Sequence, residues 1–172
     1  MNNQATKQEV ERKFLLRRVP SFPEKTVSDR KLIYQGYTED GTRYRMEQWL
    51  DGVAYTRTTK VRVDDSECIE TETEVTSREF NYSRPVKALR KYRYSWIDGP
   101  LLMCVDHIQS GPILFEAEYI GGNEEEAQLF KKADIELPDF IKEELYAEVT
   151  GDPRFLNCNL CRPVTIFYPT TE

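Results

Sequence analysis

The chain has 172 residues, 39% hydrophobic and 31% charged, a composition for a globular polypeptide long enough to bury a core, expected as one domain over residues 1–172. A formal net charge of −6 argues against binding a nucleic-acid polymer through bulk charge, although it leaves room for a local basic pocket. Residues 1–8 are polar and no apolar run approaches the ~20 residues of a membrane span, so a cytoplasmic protein with no membrane partner is expected.

The first predicted strand contains Glu9-Val10-Glu11-Arg12-Lys13. Strand side chains alternate between faces, so Glu9, Glu11 and Lys13 share one and Val10 and Phe14 share the other. Pro20 and Pro23 then interrupt regular structure. Residues 32–38 read as a strand and Glu39-Asp40-Gly41 as its turn. The next strand, residues 42–50, sets Arg43 and Arg45 opposite Tyr44 and Met46. Asp51-Gly52 is a hairpin signal, and the returning strand, residues 53–63, carries Thr58, Lys60 and Arg62 on one face. Residues 68–75 alternate cleanly, with Glu70, Glu72 and Glu74 on one side. Residues 77–88 form a short helix or loop broken at Pro85.

Residues 89–96 put Lys91 and Arg93 opposite Tyr92 and Tyr94, and residues 101–109 and 113–120 complete eight strands, the last bearing Glu116 and Glu118. The short connections suit an antiparallel sheet, and eight strands are enough to close a barrel. The ending is helical in pattern. Asn123 and Glu126 read as a capping box opening a helix to about residue 133, Asp139 as the cap of a helix to about residue 149, and Asp152-Pro153 as the start of a third. The fold class is therefore α+β: an eight-stranded antiparallel β-barrel with helices outside and at the C-terminus.

Charge is organised in blocks of alternating sign. Residues 30–62 hold seven basic and four acidic residues, residues 64–80 seven acidic and one basic, and residues 84–93 five basic and none acidic. Any one charged strand face is accounted for by ion pairs on a wet outer surface. Six of them at two-residue spacing point together to a barrel interior that holds a charged ligand. Arginine and lysine clamp phosphate oxygens, and carboxylates hold Mg²⁺ or Mn²⁺. There is no Walker glycine loop and no dinucleotide fingerprint. The single histidine, His107, has no nucleophile pattern around it and reads as structural or surface. Cys158 and Cys161 are spaced C-x-x-C, but zinc needs more ligands, and all four cysteines read as reduced thiols.

With these residues in place the chain resembles the CYTH family, the triphosphate tunnel metalloenzymes, and looks most like its short bacterial and archaeal-type members. The likeness runs in order through Glu9, Glu11 and Lys13, Arg43-Tyr44-Arg45, Lys60, residues 70–74, Lys91-Tyr92-Arg93, Glu116-Ala117-Glu118 and Glu148-Val149-Thr150-Gly151-Asp152. It implies an eight-stranded tunnel binding a triphosphate, with Mg²⁺ or Mn²⁺ as cofactor. Lys13, Arg43, Arg45, Lys60, Lys91 and Arg93 then match the phosphate-holding residues, and Arg154 would close one mouth. Glu9, Glu11, Glu116 and Glu118, with Glu72, match the metal-side carboxylates. Glu70 and Glu72, with Glu74 in reserve, match the acidic strand and with Lys13 form the expected catalytic set. Residues 106–112 are shorter than in some members, leaving Asp106 as the one acidic candidate there.

The leading expectation is hydrolysis of a triphosphate, inorganic tripolyphosphate first, releasing orthophosphate and diphosphate. The alternatives are a class IV adenylyl cyclase, a thiamine triphosphatase and a noncatalytic polyphosphate- or nucleotide-binding module. Tyr37 and Trp49 are aromatics that would stack on a base or simply pack. The resemblance also allows a homodimer.

Overall fold

The computed structural model describes residues 4–164. In chain order the strands of its barrel are β1 (Gln4–Leu16), β2 (Asp29–Tyr37), β3 (Arg43–Gln48), β4 (Val53–Arg62), β5 (Glu67–Glu74), β6 (Lys87–Asp98), β7 (Leu101–Ile108) and β8 (Ile113–Tyr119). Each pairs antiparallel with its neighbours in the ring β1-β5-β4-β3-β2-β6-β7-β8, and β8 returns to β1. The sheet is therefore a closed barrel, as the strand count and turns predict.

Register settles which face is which. Residues directly opposite across a ladder point the same way. Lys13 faces Glu116, Cys104 faces both Glu116 and Ser95, and Lys31 faces Arg93. Gln35 faces Arg45, Arg43 faces Thr58, and Thr58 faces Glu72. Following these pairs around the ring keeps all the charged faces on one side of the sheet, and that side is the interior.

The apolar core accordingly lies outside the barrel wall. Phe14 and Leu16 of β1, Trp96 of β6, Met103 and Val105 of β7, and Phe115 and Ala117 of β8 turn outward and bury one another. Leu137 and Ile141 cover them, with Phe22, Phe130 and Phe140 at the margin. Phe130 ends α2 (Glu124–Phe130), Phe140 and Ile141 lie in α3 (Asp139–Lys142), and Leu137 and Phe22 come from loops. Burying aromatic groups of this size is the main favourable contribution to folding here.

At the end where β1 finishes, the interior itself becomes apolar. Ile108 and Leu114, with Leu15, pack against Val149, Phe155 and Leu160 of the C-terminal turn. Gly151 makes that turn possible: its φ is +76°, and a Cβ there would lie 2.6 Å from the Asp65 side chain.

Residues 77–88 hold the short helix α1 (Ser77–Tyr82), opened by a Thr76–Glu79 capping box, as one of the two expected forms. The later helical expectations are corrected. Asn123 does cap α2, accepting from the N–H groups of Glu125 and Glu126, but the helix proper ends at Phe130. The reciprocal half of the predicted capping box is replaced by a tertiary bond, since Glu126 accepts from the Tyr119 hydroxyl at 2.6 Å. The helix expected over residues 139–149 is only α3, followed by strand β9 (Leu145–Glu148), which pairs with β1. The edge of β1 beyond β5 is left open at Phe14–Leu16, and β9 satisfies its backbone groups. After Pro153 comes a 3₁₀ turn (Pro153–Phe155) and then α4 (Asn157–Leu160), rather than one helix. The two-residue strand β10 (Arg162–Pro163) ends the described chain against β6. Among the described residues no helix is long and apolar enough to cross a membrane.

Candidate active site in the barrel interior

The interior is a chain of alternating cations and carboxylates. On β1, Lys13 is 3.0 Å from Glu116 and 3.4 Å from Glu11. Burial works against its charge, but the carboxylates of Glu116 and Glu11 hold its pKa above the ordinary lysine value. Lys60 binds Glu9 and lies 3.2 Å from Glu70. Despite burial, Glu9 is held well below the ordinary carboxylate range by the Lys60 ammonium and by a hydrogen bond from the Cys68 thiol. The same burial and the Glu9 carboxylate push the Cys68 thiol up to about 12, so it serves as a donor rather than a thiolate.

On the β3 wall, Arg43 reaches Glu70 at 2.5 Å and Glu72 at 3.6 Å. Its Nη2 also donates to Thr58, whose hydroxyl donates on to Glu72. Arg45, next on the same face, has only Glu47 at 3.4 Å, and its Nε is buried without a partner. Burial lowers the Arg45 pKa, and the positive charges of Arg43 and Arg93 lower it further.

Arg93 grips Asp106 through Nε at 2.7 Å and Nη2 at 2.6 Å, and Nη2 also reaches Glu116 at 2.6 Å. Lys91 has no exposed side-chain surface and donates to Asp106 at 2.5 Å. Burial, then the Arg93 charge, pushes its pKa down to about 8. The interior thus holds two cations, Arg45 and Lys91, whose charge the surroundings disfavour.

A second group has the opposite sign. Glu118 is raised by burial and by the charges of Glu9 and Glu11. Lysines occupy each of these carboxylates: Lys60 on Glu9, Lys13 on Glu11, and Lys7 on Glu118 at 2.8 Å. Among the described residues no three acidic, cysteine or histidine side chains are gathered closely enough to hold a metal ion. The donor chemistry nevertheless suits Mg²⁺ or Mn²⁺: the carboxylates supply hard oxygen ligands, and a divalent cation would offset the burial and neighbouring charge that raise Glu118.

A cavity of about 610 Å³ opens into this interior, lined by Glu11, Lys13, Arg43, Thr58 and Lys60, with Tyr37 and Asn157 nearer the C-terminal turn. The structure thus brings together on the interior face all the sequence-predicted residues but one. Arg154 stands apart: it is exposed and paired with Asp152 at 2.6 Å, and among the described residues its side chain donates to no interior carboxylate. Glu74 lies at the exposed end of β5. Asp106 is fully buried between Lys91 and Arg93, and His107 is exposed on β7. All four cysteines are free.

Reasoning from sequence missed Lys7, Lys31, Gln35 and Glu47. Lys31 is 3.1 Å from Glu47, closing a cluster with Arg45. The signal was there for two of them, since Lys7 precedes Glu9 by two residues and Glu47 follows Arg45 by two.

No known family model matches the chain, and no curated protein matches it. Solved structures do. The hypothetical protein NE1496 is 27% identical, with 88% of this chain and 96% of that one covered at a TM-score of 0.52. The PH1012 protein from Pyrococcus horikoshii OT3 is 14% identical, covering 88% of this chain and 98% of its own at a TM-score of 0.58. A conserved hypothetical protein from Pyrococcus furiosus is 16% identical, covering 80% and 94% at a TM-score of 0.57. These likenesses span nearly the full length of each relative and support the barrel; their names state no activity.

Proposed function

We propose that this chain hydrolyses a phosphoanhydride bond of a small triphosphate held inside the barrel, with inorganic tripolyphosphate as its first substrate and Mg²⁺ or Mn²⁺ as cofactor. The observation that carries the reading is the interior itself: disfavoured cations at Arg45 and Lys91 share one closed face with Glu118, whose charge is opposed by burial and by the carboxylates of Glu9 and Glu11. Such an interior is costly by itself. A polyanion bound with a divalent cation would satisfy both halves. The ordered likeness to the triphosphate tunnel metalloenzymes supports the same reading.

In this account Arg43, Arg45, Lys60 and Lys13 hold phosphate oxygens along the cavity, and Arg93 supports them from the β6 side. Glu70, locked between Arg43 and Lys60, orients those cations rather than the phosphate. Glu72, half-buried beside Thr58 and Arg43, would be the acid that orients the attacking water. Glu9, Glu11, Glu116 and Glu118 would hold the divalent ion, which when bound supplies charge neutralisation and activation of water. Catalysis then rests chiefly on positioning and electrostatics.

The test is product analysis with purified protein and Mg²⁺ or Mn²⁺, offered tripolyphosphate, ATP and thiamine triphosphate separately. Orthophosphate chiefly from tripolyphosphate supports the proposal. Cyclic AMP and diphosphate from ATP would move the chain to the cyclase reading, and binding without turnover would make it a binding module.

A further inference from the structure

Asp106 is the most enclosed carboxylate of the interior, with no exposed surface, on the middle of β7. That enclosure removes it from contact with any ligand in the cavity, whose lining does not include it. One carboxylate nevertheless serves two cations. Oδ1 accepts from Arg93 Nε at 2.7 Å, and Oδ2 accepts from Arg93 Nη2 at 2.6 Å and from Lys91 Nζ at 2.5 Å.

Asp106 on β7 and Glu116 on β8 favour the charge of Lys91; Arg93 on β6 and Arg45 on β3 oppose it. The thiols of Cys104 on β7 and of Cys161, just after α4, also lie within its field. On β2 its cross-strand neighbour is the apolar Ile33. Lys91 and Arg93 do not line the cavity either. Resting on the triphosphate reading, we infer that Asp106 is a positioning residue that keeps Lys91 protonated and Arg93 aimed along the barrel, so that both strengthen the positive field felt by the bound phosphates without touching them. Lysine is the member of the pair that can lose its proton; arginine cannot.

The experiment is a pH titration of lysine ε-carbons by NMR on the intact chain, with the Lys91 signal assigned by its loss in Lys91→Arg. It needs no substrate. Lys91 is expected to titrate well below the ordinary lysine value of 10.5 in the wild type. In Asp106→Asn it is expected to fall by a further one pH unit or more, roughly the size of losing a contacting opposite charge. An unchanged Lys91 titration in Asp106→Asn overturns the inference. If that variant does not fold, a wild-type Lys91 that is already neutral at pH 7 overturns it instead.

A second arm measures tripolyphosphate affinity against pH. Wild-type affinity should fall about tenfold more steeply on the alkaline side than that of Lys91→Arg, whose cation cannot titrate. Equal profiles in the two proteins contradict the inference. A wild type that binds no tripolyphosphate at any pH defeats the triphosphate reading and leaves the NMR result to judge Asp106 alone.

Discussion

Arg43 and Arg45 stand two residues apart on the same interior face of β3, yet their charges are balanced unequally. Each has a buried Nε without a partner, but Arg43 has Glu70 at 2.5 Å, whereas among the described residues Arg45 pairs only with Glu47, at 3.4 Å. The difference separates two jobs that the sequence pattern Arg-Tyr-Arg does not distinguish. Arg43 is balanced by carboxylates of the wall, and we propose that Arg45 is the one whose charge a bound anion would balance.

Opposite effects on stability and binding follow for the two. Arg45→Ala removes a charge that the interior disfavours, so its Tm should stay level or rise while tripolyphosphate affinity falls by about 10- to 100-fold. Arg43→Ala leaves Glu70 short of a buried partner and should cost about 3–5 kcal/mol in stability. Chemical denaturation and isothermal titration calorimetry on both variants check this. Matching stability losses would count against the distinction.

The carboxylates should report on the metal. Glu118→Gln keeps the side-chain volume and removes the charge, so it is expected to lower Mg²⁺- or Mn²⁺-dependent turnover by about two orders of magnitude. Removal of metal with a chelator should stop phosphate release while tripolyphosphate still binds the basic wall. Full metal-dependent activity in Glu118→Gln would remove Glu118 from its assigned place.

The outer core predicts the reverse pattern. Phe115 lies fully buried between Phe14 and Trp96, away from the charged interior. Phe115→Ala should cost about 3–5 kcal/mol in unfolding free energy. The fraction that remains folded should bind tripolyphosphate with wild-type affinity, a combination measurable by denaturation and calorimetry on one sample.

Acid should loosen the barrel. Glu9, Asp106 and Glu116 are all held below their ordinary values of 4.5, 3.8 and 4.5 by neighbouring cations. A depressed carboxylate contributes stability above its unfolded pKa and loses it as pH falls toward the folded one. Glu118 has the opposite sign, being raised, but it is one group against three. Stability measured by denaturant midpoint should therefore decline as pH drops below about 4.5. A midpoint that rises on acidification would show that the interior ion pairs are not what they are taken to be.

The two-residue spacing of Glu9, Glu11 and Lys13, repeated on five other strands, made the barrel and its charged interior legible because strand alternation is a local rule. Closure was legible only as strand number; register confirmed it by returning Glu116 to Lys13. What stayed hidden was tertiary. Residues 145–148 followed a helix-start signal, and nothing local marked that the open edge of β1 would recruit them as a strand. Lys91 and Arg93 carry the same pattern as Arg43 and Arg45, so only the fold shows that Lys91 is sealed against Asp106. Arg154 looked suited to a tunnel mouth, but Asp152, two residues away, holds it at the surface.

The most direct measurement is ³¹P NMR of tripolyphosphate incubated with the purified chain and Mg²⁺ or Mn²⁺. The account predicts that the triphosphate signals give way to orthophosphate and diphosphate, and that Arg45→Ala and Glu118→Gln slow the change. Triphosphate signals that persist unchanged with the wild-type chain and either metal would contradict it.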